Sequence, residues 1–198
     1  YQTREADNGA RHLIAGPYLG LCVDADDGTL HSTGADADDN SITTANGTCA
    51  GGNDEDGITL PGTMEPGGMY SLNISMPTGA SIEDCLVDGW IDFNADGDFG
   101  DAGEQILTAF NVAAGSGDNP ANFTVPAAAQ LGTTYSRFRC TRSGSAGPTG
   151  EEDNGEVEDY PVVLAITPDR QIPVMGPGAL ALTCLFLTLL AARRRRAS

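Results

Sequence analysis

The sequence predicts an all-β chain: an antiparallel β-sandwich-like domain with long acidic loops, followed by one C-terminal transmembrane helix. Three observations carry this. Short apolar–polar alternations recur between turn-forming residues, as the strands of a sandwich do. The 26 glycines and 11 prolines favour turns and short strands, and no stretch before residue 174 sustains a helical period. An uncharged run then extends from Met175 to Ala192 and stops at Arg193–Arg196.

Asn8–Leu21, NGARHLIAGPYLGL, is bounded by glycines and carries Pro17, so it reads as an irregular opening with at most one strand. His12 has no second histidine nearby, which makes it a packed or surface residue and not a ligand. Asp24–Gly57 holds DADDG, GADADDN and NDEDG with few apolar residues, the composition of a long loop. Its carboxylates either recruit cations or stay solvated, and both readings remain open. Ile58–Pro77 reads as β, with Tyr70, Leu72, Ile74 and Met76 alternating with Ser71, Asn73 and Ser75. Cys85–Phe93 is the next strand, and Ile106–Val112 follows after a loop. Gly115–Pro120 is expected to be a turn and Ala121–Val125 a short strand. In Thr134–Arg142, Ser136, Phe138 and Cys140 alternate with Tyr135, Arg137 and Arg139. Gly144–Glu152 is a Gly/Pro/Ser loop, and Val157–Ile166 is the last strand.

The loop between the Cys85–Phe93 and Ile106–Val112 strands is the candidate site. In WIDFNADGDFGDAGE, Trp90–Glu104, oxygen donors recur at Asp92, Asn94 and Asp96, Gly97 follows where a sharp turn is needed, and Asp98, Asp101 and Glu104 come next. Alternate residues of a tight loop point at one ion, and hard oxygen donors suit calcium. Asp92, Asn94, Asp96, Asp98, Asp101 and Glu104 are therefore the predicted Ca2+ ligands. The spacing departs from the helix–loop–helix pattern, because the twelfth position from Asp92 is Gly103. The flanks are also strands and not helices. An Asx-rich turn that binds no metal is the competing explanation.

Charge and cysteines narrow the function classes. The 198 residues carry 28 acids against 10 basic residues, all arginine, for a net charge of −18. Without Arg193–Arg196 the remainder stands at −18 − 4 = −22. Such a body repels phosphates, so no nucleic-acid partner is expected. Cys184 lies in the apolar run, which leaves Cys22, Cys49, Cys85 and Cys140 as an even set suited to two disulfides in an exported domain. Three pairings are open. Cys22–Cys49 and Cys85–Cys140 are favoured because each staples local neighbours. His12 and His31 have no nucleophile motif beside them, and Gly-x-Ser-x-Gly and His-Glu-x-x-His are both absent. No catalytic residue is predicted. The clustered carboxylates sit in polar turns, where a glycosidase acid would lack the apolar cleft it needs.

Gly155–Tyr160 spells GEVEDY. With WIDFNADGDFGDAGEQI, SRFR and PTGEEDN, it resembles the GEVED domain of bacterial secreted and surface proteins. GARHLIAGPYLG and NDEDG look like the same family's N-terminal half, so the resemblance runs from about Asn8 to Ala165. It implies an extracellular β-sandwich-like module without a catalytic role of its own. Glu156 and Glu158 need a counter-charge, and Arg137 and Arg139, alternating on one strand face, are the expected partners. Ile172-Pro173-Val174, the apolar span and the arginine block resemble an IPTL-type C-terminal sorting signal, with Ile-Pro-Val-Met in place of Ile-Pro-Thr-Leu.

The predicted organisation is a GEVED-like β domain over 1–166, a linker and sorting motif over 167–173, a transmembrane segment over 174–192 and a basic cytoplasmic tail over 193–198. About 18 apolar residues just cross a hydrocarbon core, and the arginines hold the C-terminus inside. Tyr1 reads as the start of a fragment whose leader lies upstream. The expected function is a non-enzymatic, calcium-binding surface module on the outer face of a bacterial membrane. Its partners would be the membrane, a sorting peptidase and a surface protein or glycan. The alternatives are the accessory domain of a larger secreted hydrolase, a peptidase, or a carbohydrate-binding or adhesion module.

Overall fold

Eleven strands order the described part of the chain: β1 Arg11–His12, β2 Cys22–Asp24, β3 Thr44–Gly47, β4 Ile58–Thr59, β5 Met69–Met76, β6 Cys85–Ile91, β7 Gln105–Val112, β8 Gly117–Thr124, β9 Gly132–Thr141, β10 Glu151–Glu152 and β11 Glu156–Leu164. The computed structural model describes residues 1–24, 32–35, 44–47, 54–144 and 146–167. A single 3-10 turn, Glu5–Asp7, is the only helical element among them.

Two antiparallel sheets form the sandwich. One runs β11-β9-β6-β7 and the other β4-β5-β8. Their inner faces share one core. Val87, Ile91, Leu107, Val112, Phe138, Cys140, Val162 and Leu164 come from the first sheet, and Ile58, Leu72, Ile74, Met76, Ala121 and Phe123 from the second. Alternation makes this possible: in β5, Leu72, Ile74 and Met76 are buried while Ser71 is exposed. Two small pairs flank the sandwich, β1 with β10 in parallel and β2 with β3 antiparallel. Residues Tyr1–Ile166 form one compact unit.

Cys85 and Cys140 form a disulfide across β6 and β9, with Cα atoms 5.5 Å apart, as the favoured pairing expects. Cys22 is also disulfide-bonded, and Cys49 lies outside the described residues. The expected turn at Gly115–Pro120 is corrected. β8 begins at Gly117 and Pro120 lies within it, in register with Asn73. A proline has no N–H to give a ladder, and β8 tolerates one because it is the edge of its sheet.

The linker from residue 168, the apolar segment 174–192 and Arg193–Arg196 lie outside the described residues. Among the described residues, no helix is long and apolar enough to cross a membrane.

Candidate metal centre

The acidic loop leaves β6 and returns as β7, and its backbone is fixed at both ends. Ile91 N–H donates to the Glu104 carbonyl at 2.9 Å, Asp92 N–H to the Tyr135 carbonyl at 3.0 Å, and Gln130 N–H to the Phe93 carbonyl at 2.8 Å. Thr134 Oγ1 donates to the Asp92 carbonyl at 2.6 Å. Between these anchors the chain turns through left-handed backbone at Ala95 (φ 56°), Gly97 (φ 93°) and Gly103 (φ 96°). Glycine at 97 meets the conformational demand that the sequence pattern anticipates.

The six predicted ligands divide into two groups. Asp92 and Glu104 are buried, 2% exposed each. Both oxygens of each carboxylate accept backbone N–H groups. Asp92 takes them from Asp96 at 3.3 Å and Gly97 at 3.0 Å, and Glu104 from Phe93 and Asp101, both at 3.1 Å. They hold the loop's shape from within. Burial pushes the Glu104 carboxyl above its ordinary value, against the opposing pull of the Asp101 N–H. Asp96, Asp98 and Asp101 lie at the surface, and one carboxylate oxygen of each falls within 4.8 Å of the other two. The Asn94 amide donates into this group, to Asp96 Oδ2 at 3.0 Å and Asp101 Oδ2 at 2.7 Å. The Asp98 and Gly100 N–H groups donate to Asp96 Oδ1 at 3.1 Å and Asp98 Oδ1 at 2.8 Å, so amide and backbone donors hold the three carboxylates together above the inner pair.

The second acidic motif is built differently. Glu156 and Glu158 are 3% and 1% exposed and face the core side of β11, where their register partners are Cys140 and Phe138. Asp159 points the other way, beside Arg137. The expected pairing of Glu156 and Glu158 with Arg137 and Arg139 is therefore corrected. Arg137 binds Asp159 through two bonds, Nε to Oδ1 at 2.8 Å and Nη2 to Oδ2 at 2.7 Å. Arg139 spends its donors on the carbonyls of Arg11, Gly147, Thr149 and Gly150 and on His12 Nε2. His12 also contacts the Asn154 carbonyl at 2.5 Å, and burial holds its pKa down at about 4, so it is a packed neutral residue as expected.

Glu156 and Glu158 instead hold the two N-terminal stretches. Leu19 N–H donates to Glu156 Oε1. Gly57 N–H donates to Glu158 Oε1 at 2.9 Å, and the Tyr160 hydroxyl donates to Glu158 Oε2 at 2.9 Å while accepting from Ile58 N–H at 3.1 Å. Asp56, of NDEDG, accepts from Leu21 N–H at 2.9 Å. Burial pushes Glu158 up to about 8, its Tyr160 and Gly57 bonds pull it down, and Asp56 and Asp54 push it up again. Glu156 rises strongly for the same first reason, with Glu158 next. Gly155 (φ 96°) has no room for a side chain, because a Cβ there would stand 1.8 Å from the Cys140 carbonyl oxygen. Gly-Glu-x-Glu-Asp-Tyr thus has a structural task at each named position.

Residues 86–163 match the GEVED domain. The match begins in β6 and ends in β11, so it contains both the acidic loop and the GEVED strand; the segments from Asn8 to Cys85 lie outside it. The GEVED family is a non-catalytic, accessory type of domain, and the match points to a secreted or surface module. Comparison with the curated proteins finds no match.

Sequence reasoning missed Asp159, Tyr160 and Phe99 as functional positions. For Asp159 the signal was present. Odd-numbered residues of β9 carry the arginines, and of the three acids in the motif only Asp159 breaks step with the glutamates. Phe99 gave no such signal, because its ring is fixed by tertiary contacts described below.

Proposed function

We propose that this chain is a non-enzymatic, calcium-binding module displayed outside the cell and held or sorted by its C-terminal segment. The observation that carries the calcium reading is the convergence of Asp96, Asp98 and Asp101. Three carboxylates so close repel one another unless positive charge enters, and the Asn94 amide and the Asp98 and Gly100 N–H groups supply only partial charges. A calcium ion accepts six to eight oxygen ligands in a flexible geometry. Asp96, Asp98 and Asp101 supply the first of these, Asn94 contributes once its amide oxygen turns inward, and Asp92 and Glu104 back the site with their remaining lone pairs. The secreted or surface character of GEVED domains supports the placement outside the cell. Anchoring or sorting rests on the apolar run 174–192, Arg193–Arg196 and the Ile-Pro-Val-Met motif. A surface protein or glycan is the class of partner such a module would present itself to.

Calorimetric titration of the full chain with calcium chloride tests the central part. Wild type is expected to bind, and Asp96→Asn with Asp98→Asn and Asp101→Asn to abolish the heat. A wild-type chain that gives no binding heat and no thermal shift with millimolar calcium would leave the loop a turn. For the tail, neutral residues at Arg193–Arg196 should weaken membrane retention or invert orientation, read by protease accessibility in whole cells.

A further inference from the structure

Among residues 94–103, the loop tip, Phe99 alone is buried. Its ring does not join the sandwich core. It lies against the Arg137 guanidinium, whose central carbon is 5.2 Å from the ring centroid, and meets the Tyr1 ring edge-on at 6.3 Å. Arg137 is 1% exposed, and its bidentate bond to Asp159 is the ion pair that ties β9 to the outer face of the GEVED strand. A ring over a guanidinium attracts it and excludes water, and both effects strengthen the pair beneath.

Phe99 also lies between Asp98 and Asp101. Drawing those two carboxylates onto one ion fixes the backbone that carries the ring. Releasing the ion returns the tip to mutual repulsion among Asp96, Asp98 and Asp101, and the tip's buried hold on the domain is that ring. We infer that Phe99 couples cation loading of the acidic loop to the Arg137–Asp159 ion pair, so that the GEVED strand's outer anchor is tightened when the loop is filled. This rests on the calcium reading above and adds to it a route from the loop to β11. Arg137 is a positioning residue in this route and does not touch the ion.

The test follows the Arg137 Nε–H resonance of the isotope-labelled full chain in detergent micelles as calcium chloride is added, alongside the amides of the acidic loop. The expected result is a shift of Arg137 Nε–H with the same midpoint as the loop amides. Phe99→Tyr keeps the ring and should keep that response. Phe99→Leu keeps an apolar side chain without the π face, and should lose the Arg137 response while its loop amides still titrate. Loop amides that move in wild type while Arg137 Nε–H stays fixed overturn the coupling and leave calcium binding intact. An Arg137 response unchanged in Phe99→Leu overturns it as well. If no loop amide responds to calcium, the calcium reading fails and the coupling falls with it.

Discussion

The acidic loop and the GEVED strand carry the same side-chain chemistry and put it to opposite uses. In the strand, Glu156 and Glu158 point inward and their oxygens accept bonds from Leu19, Gly57 and Tyr160. In the loop, Asp96, Asp98 and Asp101 gather at the surface, where the Asn94 amide donates to Asp96 and Asp101 and the Asp98 and Gly100 N–H groups donate to Asp96 and Asp98. A carboxylate bound by backbone N–H groups inside a protein is a structural clamp. Carboxylates gathered at a surface tip, with an inner pair holding the backbone, are the arrangement proposed above to take a cation. What separates the two motifs is burial, since backbone N–H groups serve carboxylates in both.

The largest test of this contrast is truncation of the clamp. Glu158→Ala strands the Gly57 N–H and deprives the Tyr160 hydroxyl of its acceptor, so it should lower stability by about 3 kcal/mol. Glu156→Ala, which frees Leu19 N–H, should act in the same direction. Midpoints in urea measure both, and unchanged midpoints would mean that the clamp holds nothing. Next comes pH. Folded Glu158 titrates near 8 and an unfolded glutamate near 4.3. Between those values the folded state keeps a proton that the unfolded state has released. This group's contribution is complete below about pH 4.3 and is lost as pH rises through about 8. Glu158→Gln should flatten that part of the pH profile of the melting temperature, and an unaltered slope would remove Glu158 as its source.

A smaller effect is expected at Arg137→Lys, which keeps the charge and loses the two-pronged bond to Asp159. A loss of about 1 kcal/mol follows, and a urea midpoint equal to wild type would show that the fork is dispensable. The smallest effect is at the loop tip in the absence of calcium. Asp96→Asn and Asp101→Asn relieve repulsion at exposed sites, so the melting temperature in chelator should stay within the equivalent of about 0.5 kcal/mol of wild type. A large loss there would make the tip a structural element like the strand.

The sequence made much of this legible. Alternation in β5 and β9 and the strand flanks of the loop are local signals, and the fold carries them, as it does the Cys85–Cys140 pair 55 residues apart. The loop's turn chemistry was also readable, because a bend of this tightness leaves Asp92, Asp96 and Gly97 few alternatives. The division of labour within the six was not readable. Asp92 and Glu104 go inward because β9 approaches through Tyr135 and Thr134, more than thirty residues downstream of the loop's start. The arginine pairing failed for a related reason. A strand's faces alternate with period two, so a misjudged register moves every side chain to the other face, and Glu158 opposite Phe138 cannot reach Arg137. Pro120 misled in the same way, since an edge strand and a turn look alike until the sheet order is known.

One measurement bears on the central claim most directly: the calcium-induced shift in melting temperature of the full chain, compared across the two motifs. Wild type should melt higher with calcium, because an ion bound only by the folded state stabilises it by mass action, about 2.7 kcal/mol at a hundredfold excess over Kd. Asp96→Asn with Asp98→Asn and Asp101→Asn should abolish the shift while leaving the melting temperature in chelator nearly unchanged. Glu158→Gln should move the baseline melting temperature and keep the shift. A shift that survives in the loop variant and disappears in Glu158→Gln would place the cation at the strand and contradict the account.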